Sequence, residues 1–334
     1  MRAQRVIRRR EAVAHVNLPG VPPLLARLLA ARGVDAPEQL DLAMARLHPP
    51  RALSGIAQAA EVLADAVESG QRILIVGDFD ADGATSTALS VRVLKAFGAR
   101  EVRYRVPNRF EDGYGLTAEI VASEADWQAD VLMTVDNGTT ALAGVAAAKA
   151  MGMRVVVTDH HLPGAELPEA DALVNPNLAG DDFPSKHLAG VGVAFYVLSA
   201  VRAELIRRGW FERQGLEVPN LARYLDLVAL GTVADVVPLD HNNRVLVEQG
   251  LKRMRAGQAV PGILSLLAVS GRDFRRVVAS DLGFGVGPRL NAAGRMEDMS
   301  IGIQCLLADT PEVARRLAEE LHQLNAQRQT VEAE

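Results

Sequence analysis

The residues of this sequence that are best suited to chemistry are acids and histidines that follow short apolar segments. They form three groups, one after each of the segments 73–76, 130–135 and 153–157: Asp78, Asp80 and Asp82; Asp136 and Asn137; Asp159, His160 and His161. Carboxylates that lie close together repel one another unless a cation sits among them. The three groups therefore predict a divalent metal site.

A fourth acid, Asp235, stands in the apolar stretch 231–238, where an unpaired carboxylate is costly. Carboxylates with imidazole and without thiolate favour Mn²⁺ or Mg²⁺, and the histidine favours Mn²⁺. Two ions about 3.5–4 Å apart, bridged by a carboxylate, could activate a water and stabilise a leaving oxygen. This equipment suits hydrolysis of a phosphoester or a phosphoanhydride.

Each group taken alone also has an ordinary structural explanation. An aspartate after a strand is commonly a helix N-cap, and one of two adjacent histidines is commonly packed. Asp159 fits a cap or an orienting partner for His160, and Asp78 could also be structural. The occurrence of all three groups at consecutive strand ends favours the metal site.

The elements that must position these groups alternate between strand and helix patterns. Five strands are predicted, over 73–76, 101–106, 130–135, 153–157 and 172–174. This alternation predicts an α/β fold, a doubly wound and mainly parallel five-stranded sheet flanked by helices. The carboxyl ends of such strands meet at one edge, where open α/β sheets place their sites. We expect the three acids of 78–82 to lie on one side of an extended backbone, and Gly83 to turn the chain into a helix that begins at Ala84.

The rest of the chain is mostly helical in pattern. We predict an N-terminal helical appendage over 1–52, a catalytic domain over 53–310 with helices from about residue 189, and a long connector helix over 311–334. The last helix has no capping glycine or proline at its end. We therefore expect the sequence to stop inside a connector that leads to a further domain.

Composition excludes several classes of protein. The formal net charge is −5, so nucleic acid would need a local groove of arginines rather than a global basic field. A single cysteine, Cys305, excludes a disulfide framework and a cysteine-based zinc site and suits a reducing cytoplasm. The basic start is not followed by a signal-peptide core, and the apolar stretch 191–201 is too short to cross a bilayer. The sequence therefore predicts a cytoplasmic protein without a membrane segment.

Several residues could contact a phosphate backbone or a base. The candidates are Arg109, Tyr114, Arg289, Asn291 and Arg295. Arginine binds phosphate oxygens through two N–H groups at once, and the tyrosine could stack on a base. Surface arginines are also often only solvated, and the segment around Tyr114 could simply be a packed loop. With 4% aromatic residues, stacking is not the main grip on a substrate.

The acid and histidine groups resemble the four motifs of the DHH phosphoesterases. The matching residues are Asp80, Asp82, Asp136, Asp159, His160, His161 and Asp235. Longer stretches, namely 76–83, 106–109, 113–116, 188–195 and 285–296, resemble the RecJ exonucleases, one branch of this family. The pyrophosphatase branch has a histidine four residues before its Asp-x-Asp pair, where this sequence has Val76.

The resemblance implies a metal-dependent 5′-to-3′ exonuclease that degrades single-stranded DNA to mononucleotides in DNA repair and recombination. It implies that two ions, Mn²⁺ or Mg²⁺, are held by Asp80, Asp82, Asp136, His160 and Asp235, with Asp78 as a further candidate. It also implies four catalytic residues, namely Asp82, Asp136, His160 and His161, with His161 at the scissile phosphate.

The resemblance also implies partners, namely a single-strand-binding protein and a recombination helicase. Two alternatives stay open. One is a phosphoesterase for short oligonucleotides or pyrophosphate, and the other is a non-catalytic nucleic-acid-binding module.

Overall fold

The computed structural model describes residues 16–108, 113–296 and 298–333. Its sheet has five parallel strands in the order β2-β1-β3-β4-β5. The strands are β1 (Arg72–Val76), β2 (Glu101–Arg105), β3 (Val131–Val135), β4 (Arg154–Thr158) and β5 (Ala172–Val174). This order is that of a doubly wound sheet, so the predicted fold class and all five predicted strands are confirmed.

The strands end nearly level, which brings the polar groups to one edge. Val76 pairs with Thr134, and Val135 pairs with Thr158. The ladder continues one residue further, since the Asp136 amide donates to the Thr158 carbonyl oxygen (3.1 Å). The residues that follow β1, β3 and β4 therefore leave the sheet side by side.

Helices cover both faces of the sheet and form most of the described chain after β5. They are α1 (Pro23–Ala30), α2 (Ile56–Glu68), α3 (Ala81–Ala96), α4 (Ala118–Ser123), α5 (Leu142–Ala150), α6 (Gly190–Arg207), α7 (Trp210–Gln214), α8 (Leu225–Ala234), α9 (His241–Arg255), α10 (Pro261–Val269), α11 (Ala279–Asp281), α12 (Gly287–Met296), α13 (Ser300–Leu307) and α14 (Pro311–Ala333). A π-helical turn, Leu282–Val286, precedes α12.

Alternate residues of β1, β3, β4 and β5 enter different cores, as the two-residue period of a strand requires. Ile73 and Ile75 of β1 pack with α2, α3 and α6, whereas Leu74 and Val76 pack with α4 and α5. The first core extends through the helical part as far as α14. Leu18, Ala26 and Val34 form a small separate core around α1.

The segment after β1 differs from its prediction. The strand ends at Val76 and α3 begins at Ala81 rather than Ala84. Asp80 is the N-cap of α3, and its Oδ1 accepts from the amides of Asp82 (2.8 Å) and Gly83 (3.0 Å). The expectation of three acids on one extended backbone was wrong, because capping an early helix satisfies more backbone N–H groups.

Gly83 lies inside α3 and does not form the turn. A Cβ at this position would lie 2.4 Å from the carbonyl oxygen of Asp78, so glycine is required by close packing of α3 on the preceding loop. Within the described residues, no helix has both the length and the apolar character needed to cross a membrane.

Candidate metal centre

Asp82 is fully buried in the first turn of α3 and faces the N-terminus of α6. The amide of Gly190 donates to its Oδ2 (2.6 Å) and the amide of Val191 donates to its Oδ1 (3.0 Å). The positive end of a helix dipole stabilises a carboxylate at this position. The anion at this helix N-terminus is therefore a carboxylate of the chain itself.

Asp136 follows β3 and has a left-handed backbone conformation, with φ of +62°. Aspartate tolerates this region better than most residues. A Cβ on Gly190 would lie 2.5 Å from the Cβ of Asp136. The start of α6 therefore lies against both Asp82 and Asp136.

His160 is surrounded by three carboxylates from three different parts of the chain. Its Nε2 lies 3.1 Å from Oδ1 of Asp136, 3.6 Å from Oδ2 of Asp235 and 3.9 Å from Oδ2 of Asp82. The His160 Nε2, Asp136 Oδ1 and Asp235 Oδ2 atoms are buried, and none of them has a hydrogen-bond partner. Buried polar atoms without partners are costly, so this arrangement fits a bound cation.

Three sets of side chains offer ligand atoms that all lie within 4.8 Å of one another: Asp82, His160 and Asp235; Asp78, Asp80 and Asp136; Asp136, His160 and His161. The first two sets share no residue, and Asp136 lies beside His160 of the first set. The geometry therefore has room for two ions, with Asp136 placed between them. Carboxylate and imidazole are the ligands that suit Mn²⁺, and carboxylates suit Mg²⁺.

The acids of the cluster oppose one another electrostatically. Burial first, and then the Asp235 charge, raises the pKa of Asp82. Burial and the charge of Asp82 likewise raise the pKa of Asp136. Burial and the charge of Asp80 raise the pKa values of Asp78 and Asp235 to about 7. Ionising all of these acids together requires positive charge among them.

The two histidines have opposite electrostatic environments. Burial and the neighbouring His161 lower the pKa of His160 to about 4, so its ring is neutral and able to bind a metal. A hydrogen bond to Asp159 raises the pKa of His161 to about 9, so its ring is cationic near neutral pH. The adjacent pair therefore supplies one candidate ligand and one positive charge.

Asp159 orients the His161 ring and is not itself one of the candidate metal ligands. Its Oδ1 accepts from Nδ1 of His161 (2.8 Å) and from the amides of His160 (2.7 Å) and His161 (3.1 Å). Its Oδ2 accepts from the amide of Thr139 (2.9 Å). Burial would raise the pKa of Asp159, but these hydrogen bonds and the His161 charge lower it to about 2. The hydroxyl of Tyr114 lies 3.3 Å from the other ring nitrogen of His161.

The predicted substrate residues are not all at the cluster. Asn291 is near it, because its side-chain oxygen accepts from the amide of Ala81 (2.8 Å) and so adds a cap to α3. Arg289 instead binds Nδ1 of His322 (3.0 Å) and the Gly285 carbonyl oxygen. Arg295 is exposed on α12. Arg109 lies outside the described residues.

Asn137 has a role that its sequence position did not reveal. Its Nδ2 donates to the carbonyl oxygens of Val76 (3.1 Å) and Val135 (2.9 Å), and its Oδ1 accepts from the amide of Leu116 (3.2 Å). The side chain therefore joins the ends of β1 and β3 to the loop that carries Tyr114. The only sequence signal was its place directly after Asp136.

The chain is similar to known proteins. Residues 72–232 match the model of the DHH family, N-terminal domain. The single-stranded-DNA-specific exonuclease RecJ of Dickeya dadantii is 58% identical over 97% of this chain, which spans 57% of that relative's length.

Two solved structures are also similar. The crystal structure of exonuclease RecJ bound to manganese is 40% identical, with a TM-score of 0.73 over 84% of this chain and 68% of that one. The crystal structure of RecJ in complex with Mn²⁺ from Thermus thermophilus is 37% identical, with a TM-score of 0.77 over 94% of this chain and 43% of that one.

Proposed function

Because the chain belongs to the RecJ exonucleases of the DHH family, we propose that it carries the catalytic centre of a nuclease for single-stranded DNA. The reaction is hydrolysis of the phosphodiester bond nearest a 5′ end, with release of mononucleotides. The observation that carries this proposal is the set of unpartnered ligand atoms on Asp136, His160 and Asp235 at one sheet edge. The activity of the whole protein in DNA repair and recombination is part of the same proposal.

The carboxylates and the imidazole of this site fit two divalent ions, Mn²⁺ or Mg²⁺. RecJ structures of relatives contain manganese. Asp82, His160 and Asp235 would hold one ion, and Asp78, Asp80 and Asp136 would hold the other, with Asp136 close to both. Bound there, such ions supply Lewis-acid polarisation of phosphate oxygens and activation of a water.

The side chains of the chain have separate tasks in this proposal. Asp136 would hold the two ions at a fixed distance from each other. The amides of Gly190 and Val191 hold the Asp82 carboxylate in place. The cationic ring of His161, which Asp159 holds in place, would neutralise charge on the scissile phosphate. The proposed contacts for the single-stranded DNA are Arg109, Arg289, Arg295 and Asn291. The proposed partners are a single-strand-binding protein and a recombination helicase.

The test is the product pattern from single-stranded DNA labelled at its 5′ or 3′ end, with Mn²⁺ present. We expect labelled mononucleotides to appear at once from the 5′-labelled strand and only late from the 3′-labelled strand. The variant Asp136→Asn is expected to lose at least about 100-fold in rate while keeping its fold, because it removes a buried ligand charge. The exposed Asp126→Asn is the matched control.

Two results would contradict the proposal. The first is digestion by Asp136→Asn at the parent rate. The second is action on pyrophosphate or on very short oligomers alone, which would favour the alternative phosphoesterase.

A further inference from the structure

A cleft of about 420 Å³ opens beside the metal cluster, between the N-terminal ends of α4 and α5. Its walls are the segments 114–119 and 138–144. Tyr114 belongs to both the cleft and the candidate site, since its hydroxyl lies 3.3 Å from Nε2 of His161. A molecule that fills the cleft would therefore contact Tyr114, whose hydroxyl lies beside the His161 ring.

The side chains that line the cleft offer no positive charge to a phosphate. Of its described lining residues, Glu119 alone is charged, and its charge is negative. The side chain of Leu142 and the ring of Tyr114 offer apolar surface, and Thr117 and Thr140 carry hydroxyls that can both donate and accept. This combination fits an uncharged, flat and partly polar group. The volume lies within the range typical of small-ligand pockets, about 300–1,000 Å³.

The cleft wall is hydrogen-bonded to the segment that follows β3 and contains Asp136. The Leu116 amide donates to Oδ1 of Asn137, which directly follows Asp136 in the sequence. The Tyr114 ring packs edge-on against Phe79, with centroids 5.8 Å apart, and against His161, with centroids 6.1 Å apart. The cleft is therefore held in a fixed position relative to the reacting centre.

We propose that this cleft binds the nucleobase of the terminal nucleotide while the scissile phosphate lies at the metal cluster. The inference rests on the proposed nuclease function and adds the place of the base. Tyr114 and Leu142, which are 51% and 42% exposed, form the two sides against which the base packs. Rotatable hydroxyls and backbone groups accept any of the four bases, so the cleft contributes affinity without sequence preference.

The test compares two single strands that differ only in the 5′-terminal residue, a normal nucleotide or a tetrahydrofuran abasic residue. We expect the chain to hydrolyse the normal end with a kcat/KM about tenfold higher, a size typical of the loss of one stacked base. Ala143→Leu narrows the exposed mouth of the cleft and is expected to slow the normal end at least about threefold while leaving the abasic end unchanged. Ala150→Leu, exposed at the far end of α5, is the matched control.

Equal rates on the two strands, or equal slowing of both by Ala143→Leu, would overturn the inference. If the chain hydrolyses neither strand, the proposed nuclease function fails, and the cleft is then tested by binding. In that experiment the chain is added stepwise to 2-aminopurine deoxyribonucleoside monophosphate, and the fluorescence of the 2-aminopurine is recorded. Quenching that is weakened by Ala143→Leu and kept by Ala150→Leu supports the cleft, whereas no quenching by the parent chain rules it out.

Discussion

Asp159 differs from the other acids of the site because its oxygens are fully used inside the protein. Four N–H groups point at it, and one of them belongs to the His161 ring. The orphaned oxygens belong instead to Asp136 and Asp235. Residues of the same type thus divide into candidate ligands and an orienting group according to the hydrogen bonds that reach them.

The first prediction concerns Asp159→Asn. Because the hydrogen bond to Asp159 raises the pKa of His161 to about 9, its loss should return that pKa towards the ordinary value of about 6.5. The ring would then be mostly neutral at pH 8 and still mostly charged at pH 6. We expect kcat/KM to fall about tenfold or more at pH 8 and less than about threefold at pH 6. Equal losses at both pH values would show that Asp159 acts through its hydrogen bonds to backbone amides and not through the charge of His161.

The second prediction concerns Val236, the residue after Asp235. It has φ of +64° and is 84% exposed, and a β-branched residue is disfavoured in this left-handed region. Val236→Asn should raise the free energy of unfolding by about 1 kcal/mol, since asparagine tolerates this conformation. Urea denaturation of the metal-free protein measures it. Val218→Asn is the control, because Val218 is 44% exposed, lies outside the helices and has no positive φ, and a similar gain there would contradict the explanation.

At the scale of elements, α6 sets the distance between two acids that are far apart in the chain. Its first two amides bind Asp82 of α3, and its first residue lies against Asp136 at the end of β3. A single helix N-terminus therefore positions acids from two different strand-to-helix connections. The contact is close enough that only glycine fits at residue 190.

The third prediction follows from this contact. Gly190→Ala should push α6 away from Asp82 and Asp136, because the new Cβ would lie 2.5 Å from the Asp136 side chain. We expect a loss of stability of about 1–3 kcal/mol and at least about tenfold weaker Mn²⁺ binding by calorimetry. In the control, Gly192→Ala, the new Cβ meets only the Leu188 side chain at 3.0 Å, which can move. If the two variants bind Mn²⁺ equally well, α6 does not position the acids.

At the scale of the whole molecule, the acid cluster makes stability depend on pH and on bound metal. The folded-state pKa values of Asp78 and Asp235 are raised to about 7, so the native protein binds protons that the unfolded chain has already lost. The raised pKa of His161, about 9, acts in the same direction above pH 6.5. Stability of the metal-free protein must therefore fall as pH rises from 6.5 to 8.5.

The fourth prediction states this as a melting experiment. In the presence of a chelator, the Tm should fall by about 3 °C or more between pH 6.5 and pH 8.5. Added Mn²⁺ should raise the Tm more at pH 8.5 than at pH 6.5, because protons compete with the metal for the carboxylates. The double variant Asp78→Asn with Asp235→Asn should show a flatter pH dependence. A metal-free protein that becomes more stable towards pH 8.5 would contradict the assigned pKa values.

The sequence by itself determined the five parallel strands and the edge at which the polar groups meet. Short apolar runs specify buried strands locally, and the carboxyl ends of parallel strands share one edge whatever else the chain does. The sequence did not determine the start of α3, because an aspartate can extend a strand or cap a helix, and the choice depends on what packs around it.

Only the tertiary structure decided which side chains are free to bind a ligand. The amide that holds Asp82 is 108 residues away, and the side chain that caps Ala81 is 210 residues away. No local pattern encodes contacts over such separations, since they depend on how α6 and α12 pack against α3. For the same reason Arg289, a candidate phosphate contact from its motif, makes its hydrogen bonds to His322 and Gly285.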